Sequence, residues 1–326
     1  MKFEELARIQ HYLRFFLRGI LALMGRQDRQ FWGEAYVRGL LLEGERKSVE
    51  PMAARLPEGN VQAMQQMVGQ SPWPHEPLRR ELARRMTGML TRPVAWIVDD
   101  TGFPKQGRHS VGVARQYSGS LGKVGNCQVA VSLHYATDDA CVPLDMELYL
   151  PKAWTDDRDR CLAAGVPPEK IAPREKWRIA LERIDQARAW GIRQGTVAAD
   201  ADYGRVQAFR HGLHDRRLSF VVGIHRDQVV TPCEVSAPSR SRRTPHAASR
   251  PSLAVQALAQ SLPPGAWQRI VWREGSRGPM TGRFAAVRVQ DVVGGNEAVP
   301  GWLLIEWPEA EPAPTGYWLS NLPPET

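Results

Sequence analysis

Residues 94–98, Val-Ala-Trp-Ile-Val, form an unbroken apolar run that leads at once into Asp99-Asp100-Thr101. A short continuous run of this kind predicts a strand covered on both faces, which places it in a sheet flanked by helices. A shorter copy of the pattern, Thr196-Val197-Ala198-Ala199, stops at Asp200. Residues 127–135 and 143–150 predict two more strands, and residues 220–224, Phe-Val-Val-Gly-Ile, another. Between them, residues 176–190 carry Trp177, Ala180, Leu181, Ile184 and Ala187 at helical spacing, and a second helix runs through Phe209. Strands alternating with helices predict an α/β core over residues 91–230.

The flanks differ in kind. In residues 1–90, Leu6, Ile9, Leu13, Phe16, Leu17, Ile20 and Leu23 make one apolar helical stripe. A second helix is expected near residues 31–42. Ser48 and Asn60 are placed to cap two short helices around the Leu56–Gly59 break. This all-α N-terminal region therefore has the pattern of a helix-turn-helix that contacts DNA, a pattern small helical domains also produce without that role. Residues 231–326 begin with an apolar-poor stretch containing Arg240, Arg242, Arg243 and Arg250. They continue with strand-like segments at 267–273, 284–289, 302–307 and 317–319, a β-rich insertion.

Charge and cysteine usage narrow the class. The chain has 326 residues and a formal charge of +8, which permits contact with nucleic acid. Its most apolar early stretch is interrupted by Arg14 and Arg18, so no membrane partner is expected. The four cysteines form no CxxC pair or zinc spacing and read as reduced thiols. Asp99 and Asp200 stand at the ends of predicted strands, where carboxylates from separate strands can share Mg²⁺ or Mn²⁺. Aspartates at such ends also start turns, and the pattern alone leaves both readings open. Lys105, Arg108, Arg115 and Lys123 follow the first acid among glycines and are candidate phosphate contacts, as is Arg158. Trp154, near Arg158, reads either as a base-stacking residue or as core.

The ordered motifs are more specific than any single pattern. Asp99-Asp100-Thr101-Gly102-Phe103-Pro104-Lys105-Gln106-Gly107 leads into Ser110-Val111-Gly112-Val113-Ala114-Arg115-Gln116-Tyr117-Ser118-Gly119, then Asn126-Cys127-Gln128-Val129-Ala130-Val131. Later come Leu148-Tyr149-Leu150-Pro151, Trp154, Asp157-Arg158, Ala199-Asp200-Ala201-Asp202-Tyr203-Gly204, Trp272-Arg273-Glu274-Gly275 and Tyr317-Trp318-Leu319-Ser320-Asn321-Leu322-Pro323. This series resembles the DDE-superfamily transposases of bacterial insertion sequences along nearly the whole chain.

The resemblance implies a ribonuclease-H-like catalytic core that binds Mg²⁺ (or Mn²⁺) and performs DNA cleavage and strand transfer. It assigns the first acid to Asp99, two residues before Thr101, with Asp100 as the neighbouring alternative, and the second acid to Asp200. It further implies double-stranded DNA as partner, a homodimer on paired ends, and a cytoplasmic, nucleoid-associated bacterial protein. In the family a third acid, a Glu, follows the Asn-Leu-Pro segment on a helix. Here the sequence ends five residues after Asn321, and neither Glu325 nor Glu306 stands in such a place. The expectation is a truncated or inactive copy, with a non-catalytic DNA-binding remnant or regulator as the alternative.

Overall fold

The computed structural model describes residues 3–119, 121–233, 251–275, 278–290, 292–294 and 299–324. Two compact units divide the chain, Met1–Met89 and Leu90–Thr326.

In the first unit the described elements are α1 (Phe3–Leu21), α2 (Gln27–Leu41), α3 (Val49–Ala53), α4 (Val61–Gly69) and α5 (His75–Gly88). Asn60 caps α4 by accepting the Ala63 amide at 3.0 Å, whereas Ser48 precedes α3 without a side-chain cap. Of the predicted α1 stripe, Leu17 and Ile20 are buried. Leu17, Leu21 and Met24 pack with Met67, while Ile9 and Leu23 are exposed. α5 lies within the region expected to be helical but has no separate mark in the sequence, because Arg79, Arg80, Arg84 and Arg85 dilute its apolar period.

The second unit begins with β1 (Ala95–Pro104), β2 (Ala114–Ser118), β3 (Lys123–Ala136) and β4 (Cys141–Leu148). It continues with α6 (Lys152–Thr155), α7 (Arg158–Ala163), α8 (Lys176–Ala189), β5 (Thr196–Ala199), α9 (Ala201–Gly204), α10 (Gln207–Asp215) and β6 (Phe220–Gly223). After β7 (Val229–Val230), β8 (Leu253–Ala254) and α11 (Val255–Ser261) come β9 (Gln268–Gly275), β10 (Gly278–Val289), β11 (Gly301–Pro308) and β12 (Gly316–Ser320).

Ten strands make one mixed sheet in the order β2-β3-β1-β5-β6-β12-β11-β10-β9, with β4 also on β3. β1 is antiparallel to β3 and parallel to β5, and β5 is parallel to β6. The β-rich segment therefore continues the core sheet through the β12–β6 pairing. Buried Arg210 on α10 fastens the same junction by donating to the carbonyls of Val292 (2.8 Å) and Gly204 (2.5 Å).

Two local expectations change. The first strand does not stop at Asp99, because β3 pairs with β1 as far as Pro104. Nor is it sealed equally on both faces. Trp96 and Val98 are buried, on the face that also carries buried Val131 and Leu133 of β3, where α8 supplies Ile179, Ala180 and Ile184. Ala95, Ile97 and Asp99 alternate to the other, more open face. β2 and the first residues of β3 were missed because they carry Arg115, Gln116, Ser118, Lys123 and Asn126 and so lack an apolar run.

Candidate active site where two parallel strands part

The β1–β5 ladder ends with Val98 opposite Ala199, so Asp99 and Asp200 are the next residue on each strand. The acids lie 101 positions apart in the chain, and parallel pairing makes them neighbours. Asp200 leaves the sheet as the cap of α9, its Oδ1 accepting the amides of Asp202 (3.0 Å) and Tyr203 (3.3 Å). Asp99 Oδ1 accepts the amide of Asp100 at 2.7 Å. Each carboxylate thus has one oxygen held by backbone and, among the described residues, its other oxygen without a hydrogen-bond partner.

Electrostatics supports the proximity. Burial pushes the Asp200 carboxyl above the usual range, the amides of Tyr203 and Asp202 draw it back, and the charges of Asp202 and Asp99 push it up again. Such crowded oxygen donors suit a hard divalent cation, which relieves the repulsion between them. Among the described residues no group of three or more His, Cys, Asp or Glu forms a metal site.

Asp100 points to the helix-covered face. It pairs with Lys176 at the start of α8 and accepts the Tyr203 hydroxyl at 2.6 Å. Burial and the nearby charges of Asp100, Asp200 and Asp99 push that hydroxyl far above its ordinary value, so it stays protonated and donates. Asp100 is therefore engaged in joining β1 to α8 and α9, while Asp99 keeps an open oxygen beside Asp200. Gly204 makes the α9 end of this joint. A Cβ there would collide with the Gly223 carbonyl and stand 2.9 Å from Val222, so only glycine lets α9 lie against β6.

On the other face of β1, Ser132 of β3 lies opposite Asp99. Its hydroxyl donates to the Asp99 carbonyl at 3.0 Å and also meets Thr101 Oγ1 at 3.1 Å and His134 Nε2 at 3.0 Å. Burial draws the His134 imidazole below its usual pKa, opposed by the charge of Asp99. Neither Ser132 nor His134 was singled out from sequence. Their signal was two polar residues two apart within the otherwise apolar stretch 129–135, which puts them on one face.

The predicted cations do not converge on the acids. Lys105, Arg108, Arg115, Lys123 and Arg158 are exposed, and among the described residues none of them makes an ion pair. Lys123 lies nine positions before Ser132 on β3, roughly 30 Å along the strand at about 3.3 Å per residue. Arg115, opposite Asn126, and Lys123, opposite Ser118, fall on opposite faces of the hairpin. Arg240, Arg242, Arg243 and Arg250 lie outside the described residues, as does Glu325.

Several motif residues prove to be scaffolding. Asn126 donates to the carbonyls of Lys105 (2.7 Å) and Gly107 (3.0 Å), and Gln128 to that of Val111 (2.6 Å). Trp154 is core: it is 1% exposed, and its indole N–H donates to the Val113 carbonyl at 2.8 Å. Its ring carries the guanidinium of Arg160, which in turn holds the Arg108 carbonyl. The base-stacking reading of Trp154 is therefore set aside. Asn321 joins β6 to the chain after β12 by accepting the Phe220 amide (2.7 Å) and donating to the Leu218 carbonyl (3.0 Å).

Residues 20–279 match the DDE superfamily endonucleases. A curated relative from Microchaete diplosiphon, a probable transposase for insertion sequence element IS701, is 31% identical over 194 residues. The match covers 59% of this chain and 48% of the relative, so the chain spans about half of that protein's length. No helix of the described residues is long and apolar enough to cross a membrane. The mixed α/β sheet is consistent with the ribonuclease-H-like fold of such enzymes. With four-fifths of its length matched by that family, the chain belongs to the DDE superfamily endonucleases.

Proposed function

We propose that this chain is the DNA-engaging, two-aspartate part of an insertion-sequence transposase, with Asp99 and Asp200 as the residues that hold Mg²⁺ or Mn²⁺. The observation that carries the reading is their adjacency one step beyond the last β1–β5 pair, each with an uncommitted oxygen. When bound, the divalent ion supplies positive charge for the attacking and leaving oxygens of a phosphodiester. Around it, Asp99 and Asp200 present carboxylate oxygens, Tyr203 and Lys176 keep Asp100 turned away, and the Asp202 and Tyr203 amides orient Asp200.

Duplex DNA is the partner, an insertion-element end and its target. Lys105, Arg108, Arg115, Lys123 and Arg158 are phosphate contacts, joined by Arg240, Arg242 and Arg243. The two faces of the β2–β3 hairpin each offer a cation, which suits an arm lying along a groove rather than a flat patch. In Met1–Met89, α3 and α4 around the Leu56–Gly59 turn are a second DNA-contacting element. The protein works as a homodimer on paired ends in the bacterial cytoplasm, at the nucleoid. The 326-residue chain binds DNA without cutting it at a meaningful rate, a reading supported by the finding that among the described residues no third metal-ligating group joins the pair.

The test is Mn²⁺ titration of the chain, followed by electron paramagnetic resonance of the free ion, for wild type, Asp99→Ala and Asp200→Ala. Loss of a bound Mn²⁺ in both variants supports the site. Unchanged binding in either removes that residue from it. Duplexes drawn from the DNA flanking the chain's own reading frame then test recognition against scrambled duplexes of equal length.

A further inference from the structure

Ser132 is 1% exposed, so its hydroxyl has no water to rely on and must be satisfied by protein. A serine hydroxyl has one proton to give and two lone pairs to fill. The proton goes to the Asp99 carbonyl. Ser132 must then accept from both remaining neighbours, the Thr101 hydroxyl and His134 Nε2. This accounting puts the proton of a neutral His134 on Nε2, a tautomer set by the network itself.

The place of this cluster matters. At Asp99 the support from β5 has just ended, with Val98 opposite Ala199, and only β3 still accompanies β1. The peptide that carries the acid is therefore held from one side, by the β3 ladder and, beyond it, by the Ser132 hydroxyl. Ser132 is in turn fixed by Thr101, two residues beyond Asp99 on the same face, and by His134, two residues further along its own strand. The Thr of the Asp-x-Thr pattern acquires a physical task, which is to load the serine that holds the acid.

We infer that Ser132 and His134 are positioning residues for Asp99, a three-member hydrogen-bonded relay with Thr101 that sets the peptide carrying the first metal-binding carboxylate. The inference rests on the two-aspartate reading for its consequence and on the hydrogen bonds alone for its geometry. Partners that orient a metal ligand are commonly worth about 10–100-fold in metal affinity. The relay is expected to act on that scale.

The experiment uses the full chain and two readouts. Mn²⁺ affinity is measured for wild type, Asp99→Ala, Ser132→Ala, His134→Phe and His134→Gln. Amide hydrogen exchange is measured in parallel, without metal, on peptides covering Asp99 to Thr101. Glutamine can place an amide N–H near the imidazole Nε2 position, so His134→Gln retains the donor without the ring. The expected result is an affinity loss of about 10-fold or more in Ser132→Ala and His134→Phe, with faster exchange at Asp99–Thr101, unchanged thermal midpoints, and recovery of both readouts in His134→Gln. Wild-type affinity and exchange in His134→Phe would overturn the inference. So would a His134→Gln variant as impaired as His134→Phe, because the donated hydrogen bond would then not be what matters. If wild type binds no Mn²⁺, or Asp99→Ala binds it equally well, the two-aspartate reading fails, and the exchange data still decide whether the relay holds the Asp99 peptide.

Discussion

Glu147→Gln tests whether a buried ionic lattice anchors α8 beneath the site. Glu147 Oε1 accepts from Arg174 at 2.6 Å and Lys170 at 3.0 Å, and Oε2 lies 2.9 Å from Arg183. Arg183 also holds Asp145 at 2.9 Å, an acid whose side chain is 0% exposed. Burial pushes the Glu147 carboxyl up, yet Arg174, Arg183 and Lys170 together hold it down, from 4.5 to about 2. At about 1.4 kcal/mol per pKa unit, that difference is worth roughly 3 kcal/mol to the folded state. With the side chain only 11% exposed, solvent screening takes little of it.

A depressed carboxylate pKa means that the folded state favours the ionised form. The stabilisation is complete above the unfolded value near 4.5 and fades as pH falls toward about 2. Glu147→Gln should therefore be less stable than wild type by roughly 3 kcal/mol at neutral pH, about 6–12 °C in thermal midpoint for a unit of this size. The gap should narrow steadily below about pH 5. Urea unfolding of both proteins across that range measures it. A gap that stays constant from neutral to acid pH would refute the reasoning, since the loss would then be one of packing. Because α8 also carries Lys176, the partner of Asp100, the variant should loosen that ion pair as well.

Other outcomes follow from the same structure. Duplex binding should weaken with salt, with a log–log slope of roughly −5 to −7 if about 6–8 phosphates are neutralised; a salt-independent affinity in a filter or anisotropy titration would count against the basic hairpin and the arginine-rich segment. Gly204→Ala forces α9 away from the Gly223 carbonyl, so it should lower Mn²⁺ affinity and thermal stability together, and a variant normal in both would show that α9 is not seated as described. Trp154→Ala should cost about 3–5 kcal/mol on chemical denaturation, while the DNA affinity of the folded fraction stays unchanged; a selective loss of DNA affinity would reopen the base-stacking role. On end-containing duplexes with Mg²⁺ or Mn²⁺, the two-aspartate reading predicts cleavage within background of an Asp99→Ala control, since a site that lacks one charge-stabilising ligand is typically slower by at least ~10²–10³. Robust cleavage that the control abolishes would show that some other group completes the site.

Local chemistry made much of this protein legible in advance. The apolar run at residues 94–98 and its shorter copy at 196–199 marked the paired parts of β1 and β5 and put an aspartate directly after each run, although β1 itself continues to Pro104. Amphipathic spacing located α8, and Asn60 marked the start of α4. What tertiary structure decided was every relation between distant segments. Parallel register, which depends on which strands become neighbours, brought Asp99 beside Asp200 and sent Asp100 to the opposite face. The basic residues that cluster along the chain near Asp99 were carried away from it because β1 and β3 are long and stiff. The same holds for Asn126, Gln128, Trp154 and Asn321, whose partners are mostly loop carbonyls supplied by folding itself. Backbone carbonyls are alike in every residue. Which of them a polar side chain must satisfy is settled only when the chain has buried both.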